Sequence, residues 1–292
     1  MNQTNTDRRK HIPWIFLPTV LAMVIQTAVA IIVMQLVMVR EFSITTKSDY
    51  ADFMLDVVHK YSSADCIAVV SLMYALVTAI LMLVIFRNTY RDGKLAGLKM
   101  QVNNWGIMIL GMVLFIVSMQ YVTVYLMNAL ASAFPAWLEE YQALTEAAGL
   151  DAEHISPIMI AYAVLLGPIC EEFIFRGVTF FAARKVMPIH FAILVQAILF
   201  GAFHMNKLQG VYAFVLGLGL GYIMYLYDNL IVTIVIHMAY NMIGVMDLPA
   251  GGDNLITFFL CSLASLVVAY ISIILLRNSS SVVKDGQFFS DI

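Results

Sequence analysis

The chain contains eight long apolar segments, and this pattern limits it to a membrane-embedded fold. Overall, 62% of its residues are hydrophobic and 12% are charged, whereas about a quarter of the residues of a typical soluble domain are charged. A helix needs about 20 predominantly apolar residues to cross a bilayer. The candidate segments cover residues 17–39, 67–86, 105–126, 155–183, 191–204, 210–227, 230–246 and 255–276.

Backbone chemistry decides which membrane architecture these segments form. Lipid offers no partner for backbone N–H and C=O groups, so a spanning segment is a helix or a strand of a closed barrel. The apolar runs are too long for barrel strands. We therefore predict an all-α polytopic membrane protein of about eight transmembrane helices. No convincing repeat, low-complexity segment or Pro/Gly linker divides the chain, so residues 1–292 are predicted to form a single membrane domain.

Basic residues are divided unequally between the two sides of this topology. With the N-terminus inside, the inner segments hold Arg8, Arg9, Lys10, Arg87, Arg91, Lys94, Lys99, Arg184, Lys185, Arg277 and Lys284. The outer segments hold only Arg40, Lys47, Lys60 and Lys207. Lys and Arg concentrate in cytoplasmic loops. This asymmetry predicts a multi-pass protein with both termini in the cytoplasm.

A few polar side chains interrupt the apolar segments. They are Glu171, Glu172 and Arg176 in the fourth segment, His204 at the end of the fifth, and His237 and Asn241 in the seventh. A charged residue at the centre of a membrane helix costs about 2.5–3.5 kcal/mol on insertion scales. Residues of this kind therefore mark the predicted functional site.

Helical spacing separates the two glutamates. Glu172 and Arg176 are four residues apart, with the acid first, which is the favoured order for an ion pair. Glu171 is rotated by about 100° from its neighbour, so we expect it to be paired with another helix, solvated in a cavity, or protonated. Pro168 has no N–H and is expected to leave the Val164 carbonyl without its helical partner, which admits water.

These residue types suit peptide-bond hydrolysis. A carboxylate in a low-dielectric pocket is a stronger base than one in water, so Glu171, helped by His204, could take a proton from water. His237 and Asn241 are one turn apart on one helix face, and both could donate hydrogen bonds to the resulting oxyanion. This chemistry requires the fourth, fifth and seventh segments to pack together.

The polar positions form three motifs on successive helices: Glu171-Glu172-x-x-x-Arg176, Phe200-x-x-x-His204 and His237-x-x-x-Asn241. Over residues 155–247, this pattern resembles the CPBP family, also called Abi. That family comprises CAAX prenyl endopeptidases and bacteriocin-processing or bacteriocin-immunity proteins. The bacteriocin association and the simple membrane layout suggest a bacterial plasma-membrane protein.

The resemblance implies an intramembrane endopeptidase that cleaves a membrane-associated or lipidated peptide. By analogy, Glu171 and His204 activate water, and His237 and Asn241 form the oxyanion hole. The second glutamate and the arginine of the first motif support them. The natural peptide and its cleavage bond are not legible in the sequence.

The sequence allows two interpretations of whether a metal ion takes part in the reaction. Family members have been called metalloproteases, and Glu171, His204 and His237 could form a three-ligand zinc site. However, no histidine in the chain is followed by glutamate, so the His-Glu-x-x-His motif is absent. We expect a mechanism without a cofactor, with zinc as the alternative.

Two other functions remain open. An immunity or binding protein could keep the motifs and dock a partner through the acidic segment 130–154. A proton-coupled transporter could also use intramembrane Glu and His, although the inverted repeats typical of transporters are not evident. The predicted partners are a peptide substrate and the lipid bilayer, with no nucleic acid. The oligomeric state is left open.

The predicted topology conflicts with one implication of the resemblance. It places His204 and Asn241 in the outer half of the membrane, whereas the eukaryotic CAAX enzymes of this family act on cytosolic tails. Either the cavity opens differently in this protein or the orientation is reversed.

Overall fold

The computed structural model describes residues 8–45, 49–90, 102–150, 155–246 and 254–281. The helices are α1 Pro13–Ile44, α2 Tyr50–Tyr61, α3 Ala64–Tyr90, α4 Trp105–Ala133, α5 Pro135–Ala147, α6 Pro157–Ala183, α7 Ile189–Phe203, α8 Lys207–Tyr227, α9 Leu230–Val245 and α10 Leu255–Ser279. Each of the eight predicted apolar segments lies within one of these helices, apart from residues 155, 156, 204 and 246, which lie just beyond a helix end. The predicted all-α polytopic membrane fold is confirmed.

Two of the eight apolar helices are shorter than the others. Among the described residues, six helices are long and apolar enough to cross a membrane, whereas α7 and α9 have 15 and 16 residues. At 1.5 Å per residue these two are about 22–24 Å long, against about 30 Å of hydrocarbon. Each therefore ends inside the thickness of the bundle.

Contacts between helix ends define one face of the bundle. The Tyr90 hydroxyl at the end of α3 lies 3.5 Å from His11 Nδ1, just before α1. Arg184 after α6 forms an ion pair with Asp228 after α8, at 3.0 Å. We call this end the basic face. Its described basic residues are Arg8, Arg9, Lys10, Arg87, Arg184, Lys185 and Arg277.

The opposite helix ends form an acidic face. Lys207 at the start of α8 contacts Glu140 of α5 at 2.9 Å, and Phe42 of α1 packs edge-to-face on Phe53 of α2. Its described acidic residues are Glu41, Asp49, Asp52, Asp56, Asp65, Glu139, Glu140 and Glu146. The predicted loop residues that lie outside the described ranges are Lys47, Arg91, Lys94, Lys99, Asp151, Glu153 and Lys284.

The acidic face carries two helices that the sequence analysis did not predict. These helices, α2 and α5, have 12 and 13 residues, below the length of a membrane span. Asp49 caps α2 by accepting a hydrogen bond from the Ala51 N–H, and Pro135 occupies the first turn of α5, where its missing N–H is not needed. Hydropathy selects spanning segments only, so it passed over both.

Helix α6 forms the centre of the bundle. It packs against α1, α3, α7, α8 and α9, and its half after the site is almost fully buried. In contrast, only 17% of the most apolar window of α1, and of α10, is buried. The apolar side chains of these outer helices face the lipid, and the polar groups of α6 are enclosed.

Helices α7 and α8 touch through their backbones. A Cβ atom added to Gly201 would lie 2.5 Å from the Gly210 carbonyl oxygen, and one added to Gly217 would lie 3.2 Å from Ala197 Cα. Such close approach is possible only without side chains at these positions. It fixes the C-terminal end of α7, and with it His204, against the start of α8.

Candidate active site

Two π-helical turns flank the glutamates of α6. The segments Ala161–Leu166 and Phe173–Thr179 are π-helical, and Gly167–Glu172 between them is α-helical. Each π-helical turn inserts extra backbone and rotates the side chains that follow it. Such insertions are frequent at functional sites.

Pro168 explains the polar contact made by the first π-helical turn. The Gly167 N–H donates to the Tyr162 carbonyl, five residues back. Continuing this pattern would bring the N–H of residue 168 to the Ala163 carbonyl, but proline has no N–H. The Asn241 side chain on α9 donates to that carbonyl instead, at 2.9 Å. The local backbone of α6 therefore positions a side chain of α9.

The freed carbonyl is one residue away from its predicted position. The sequence analysis assumed α-helical bonding and assigned it to Val164. The π-helical turn makes Ala163 the carbonyl that lacks a backbone donor. Asn241 is therefore hydrogen-bonded to α6. The sequence of α9 alone could not predict this contact.

Glu172 is the acceptor shared by two helices. Its Oε1 lies 2.8 Å from Arg176 Nη1 and 2.9 Å from His237 Nδ1. Glu172 and Arg176 are fully buried. A carboxylate can only accept hydrogen bonds, so Nδ1 of His237 carries a hydrogen and donates the hydrogen bond to Glu172. Glu172 thus forms the ion pair expected from its spacing and also orients the His237 ring.

Glu171 faces the other nitrogen of the same histidine. Its Oε2 lies 3.6 Å from His237 Nε2, and its side chain is 15% exposed, against 0% for Glu172. Glu171 therefore approaches a side chain of another helix, one of the three situations expected for it, and His237 Nε2 donates to it only when the ring is doubly protonated. The imidazole therefore lies between two carboxylates, one of which keeps some accessible surface.

His204 contacts Phe200, which lies one turn before it on the chain. Its Nδ1 donates to the Phe200 carbonyl at 2.9 Å. The Phe200 ring centroid is 5.0 Å from the His204 ring and 5.7 Å from the His237 ring, and the Arg176 guanidinium lies over the same ring at 4.3 Å. Among the described residues, no hydrogen bond or ion pair joins His204 directly to Glu171.

Phe200 has a role that the sequence analysis did not assign. It was noted only as a motif position, although aromatic residues four positions before a histidine share its helix face. In the structure its ring packs against both histidines and lies under the Arg176 guanidinium, which makes a cation–π contact with it. Phe200 is 1% exposed, so it forms the wall of the site.

The described side chains of the candidate site can be compared with the zinc alternative. In the part of the chain that the structure describes, no three His, Cys, Asp or Glu residues are grouped closely enough to hold a metal ion. The proposed zinc set needs Glu171, His204 and His237 to converge, and the Phe200 ring packs against both imidazoles. This arrangement does not fit the three-ligand zinc alternative, and no step below is assigned to a metal.

Comparison with known families places this site in context. Residues 153–243 match the family model described as Type II CAAX prenyl endopeptidase Rce1-like. This segment is therefore similar to the Rce1-like CAAX endopeptidases. The match confirms the CPBP resemblance predicted from the three motifs. Searches of curated proteins and of solved structures found no significant match.

The matched segment contains every residue of the candidate site. It spans α6 to nearly the end of α9 and leaves out α1 to α5 and α10. The Rce1-like match supports a CAAX-type intramembrane protease in general. The membrane helices and the protease family agree with the class of activity predicted from the polar residues.

Proposed function

We propose that this protein is an intramembrane endopeptidase that hydrolyses a peptide bond in a membrane-associated or lipidated peptide. The observation that carries the proposal is the Glu171 carboxylate facing His237 at 3.6 Å inside a bundle of apolar helices. A carboxylate that is only 15% exposed and lies beside a buried imidazole is a suitable base for activating water.

The hydrogen bond made by His204 is consistent with a role for this histidine as a second proton acceptor. Because Nδ1 donates to the Phe200 carbonyl, the neutral ring carries its lone pair on Nε2. This nitrogen can accept a hydrogen bond from the water that Glu171 deprotonates. In the proposed reaction, water attacks the peptide carbonyl carbon while its proton passes to Glu171. The protonated Glu171 then gives this proton to the leaving amine as the C–N bond breaks, and a carboxylic acid and an amine are released.

His237 and Asn241 are the proposed oxyanion donors. Nδ1 of His237 already donates to Glu172, so Nε2 is a donor only when the ring is doubly protonated. Two carboxylates and the Arg176 guanidinium are the other charges of this group, and a doubly protonated ring leaves it without net charge. Asn241 uses one N–H on Ala163, and its second N–H is available for the oxyanion.

Replacing Asn241 with alanine tests its assignment. We expect kcat to fall by about 10²–10³-fold, the usual effect of removing one oxyanion donor, with a smaller change in KM. Asn254→Ala serves as a control, because Asn254 caps α10 through the Ile256 and Thr257 N–H groups and its loss costs stability of about 1 kcal/mol. If both variants lose activity equally, Asn241 has a structural role only.

The metal-free mechanism predicts resistance to chelators. Because the site side chains do not converge as zinc ligands, cleavage in the presence of EDTA or 1,10-phenanthroline is expected to proceed at the rate of the untreated protein. The measurement is peptide cleavage by mass spectrometry after overnight dialysis against chelator. Loss of cleavage that zinc restores would replace this mechanism with the zinc alternative.

We also propose that the protein lies in a bacterial plasma membrane with both termini in the cytoplasm. The described basic residues of the basic face outnumber those of the acidic face, where Arg40, Lys60 and Lys207 are found. Lys and Arg near membrane helices favour the cytoplasmic side. A periplasmic or extracellular protease should therefore cut the acidic face in intact cells and leave the basic face uncut.

The proposed activity is tested with the purified full-length chain in lipid nanodiscs. Prenylated and unmodified versions of the same membrane-bound peptide are compared, so that lipidation is tested separately from cleavage. A product that requires His204 and Glu171 supports an endopeptidase. Function in cells that survives loss of both residues would favour a docking or immunity protein, and proton uptake into liposomes without cleavage would favour a transporter.

A further inference from the structure

The half of the bundle between the site and the basic face is closed by apolar side chains. Beyond Arg176, helix α6 continues through Phe180 and Phe181, which are 0% and 4% exposed. Phe86 of α3 packs on Phe181, with ring centroids 5.2 Å apart, and Leu230 of α9 belongs to the same buried cluster. A peptide crossing this layer would leave its amide groups without hydrogen bonds. This half offers it no route.

Hydroxyl groups occupy the opposite half, between the site and the acidic face. Tyr212 of α8 interacts electrostatically with Glu171 and shares a hydrogen bond with Tyr141 of α5. The Tyr240 hydroxyl of α9 lies 2.7 Å from Thr123 Oγ1 of α4. These groups can exchange hydrogen bonds with water or with a peptide backbone. The hydrogen bond between Tyr212 and Tyr141 joins α8 to α5 at the acidic face.

The short α7 leaves a recess at the same face. Since α7 begins at the basic face and is about 22 Å long, His204 at its end lies below the surface of the bundle. A cavity of about 560 Å³ opens beside this end, and its lining includes Trp137, Met205 and Lys207. The recess is lined by Gly201, Ala202 and Met205, which are neighbours of His204 in the chain, whereas the candidate site residues themselves do not line it.

Helix α5 covers this region and is only weakly packed against the bundle. It has no buried residue, and its half-buried Trp137 and Tyr141 are one turn apart and face the bundle. Its ion pair to α8, Glu140 with Lys207, has side chains that are 50% and 56% exposed. Exposed ion pairs contribute about 0–1 kcal/mol. Separating α5 from α8 therefore breaks one exposed ion pair and the hydrogen bond between Tyr141 and Tyr212.

We propose that substrate enters the site from the acidic face, between α5 and α8, and is a polypeptide segment presented at that face. This inference rests on the proposed function and adds the side of entry and the location of the substrate. With the basic face in the cytoplasm, the substrate lies on the outer side of the membrane. Entry from this face would agree with the predicted orientation, in which both termini are cytoplasmic.

Reversible cross-linking tests the entry route. In a chain with its three natural cysteines replaced, Glu140→Cys and Lys207→Cys are linked by a short bifunctional methanethiosulfonate. Cleavage of a peptide that the unlinked protein cuts should fall at least about tenfold, as for a lid that cannot open. A thiol reductant should restore it.

The opposite face provides a matched control pair. Arg184 and Asp228 form a similar ion pair across helix ends on the basic face, at 3.0 Å. Linking Arg184→Cys to Asp228→Cys with the same reagent should leave cleavage unchanged. The proposal is overturned if this control link blocks cleavage and the α5 link does not, or if the α5 link has no effect.

A second measurement does not depend on cleavage. In the same cysteine-free background, Asn241→Cys is exposed to a charged, membrane-impermeant maleimide in sealed vesicles of known orientation. Glu140→Cys and Arg184→Cys report the two faces. Labelling from the acidic face alone, lost when α5 and α8 are linked, supports the proposal even if no peptide is cleaved. Labelling from the basic face, from both faces or from neither overturns it.

Discussion

Replacing Glu171 with glutamine is expected to lower kcat by about 10²–10⁴-fold, the contribution of a positioned general base. Glutamine keeps the size of the side chain and its contact with His237 but does not accept the proton. Because Glu171 is 15% exposed and its partner lies 3.6 Å away, we expect little change in thermal stability. The measurement is single-turnover cleavage of a membrane-bound peptide, together with the melting temperature in detergent.

Two controls isolate this effect from nonspecific damage. Glu139→Gln changes an exposed glutamate of α5 and should retain full activity. His190 and His204 lie at opposite ends of α7, so His190→Ala should retain cleavage and His204→Ala should lose it. Wild-type activity in Glu171→Gln would remove this carboxylate from the mechanism, whatever the stability of the variant.

Replacing Glu172 with glutamine is expected to produce the largest loss of stability. Glu172 and Arg176 are both 0% exposed, and removing one partner leaves a buried charge without compensation. Breaking a buried pair in this way costs about 3–5 kcal/mol. Activity should also fall, because His237 Nδ1 loses the carboxylate that orients its ring. Thermal unfolding in detergent and peptide cleavage measure the two effects.

A double variant separates the structural effect from the positioning effect. Glu172→Gln combined with Arg176→Met removes both charges, and replacing a buried pair by uncharged groups is often close to neutral in stability. We expect the double variant to recover most of the melting temperature but not kcat, since His237 still lacks its carboxylate. The exposed pair provides the comparison, because Asp228→Asn should cost about 0–1 kcal/mol.

Recovery of both stability and activity in the double variant would contradict this assignment. Glu172 would then serve only to neutralise Arg176. Failure to recover stability would show instead that the guanidinium contributes through its contact with Phe200, which it covers at 4.3 Å. The melting temperature of the double variant distinguishes these two results.

The lengths of the apolar segments and the spacing of the polar residues predicted the transmembrane helices and the choice of candidate site residues. Lipid forces spanning segments to be helical, so all eight apolar segments could be identified without coordinates. The i, i+4 spacing also predicted the pairing of Glu172 with Arg176, because both belong to one helix. The same reasoning selected the site residues, since so few polar side chains lie within apolar helices.

The tertiary structure decided how residues on different helices meet. The sharing of Glu172 by Arg176 and His237, and the contact of Phe200 with both histidines, depend on the packing of α6, α7 and α9. The π-helical turn near Pro168 shifts one carbonyl and so selects the partner of Asn241. Local sequence sets the face on which a side chain lies, whereas helix packing sets what that face touches. For this reason, composition and spacing determined the fold and the residue types of the candidate site, and only the bundle determined which side chains these residues contact.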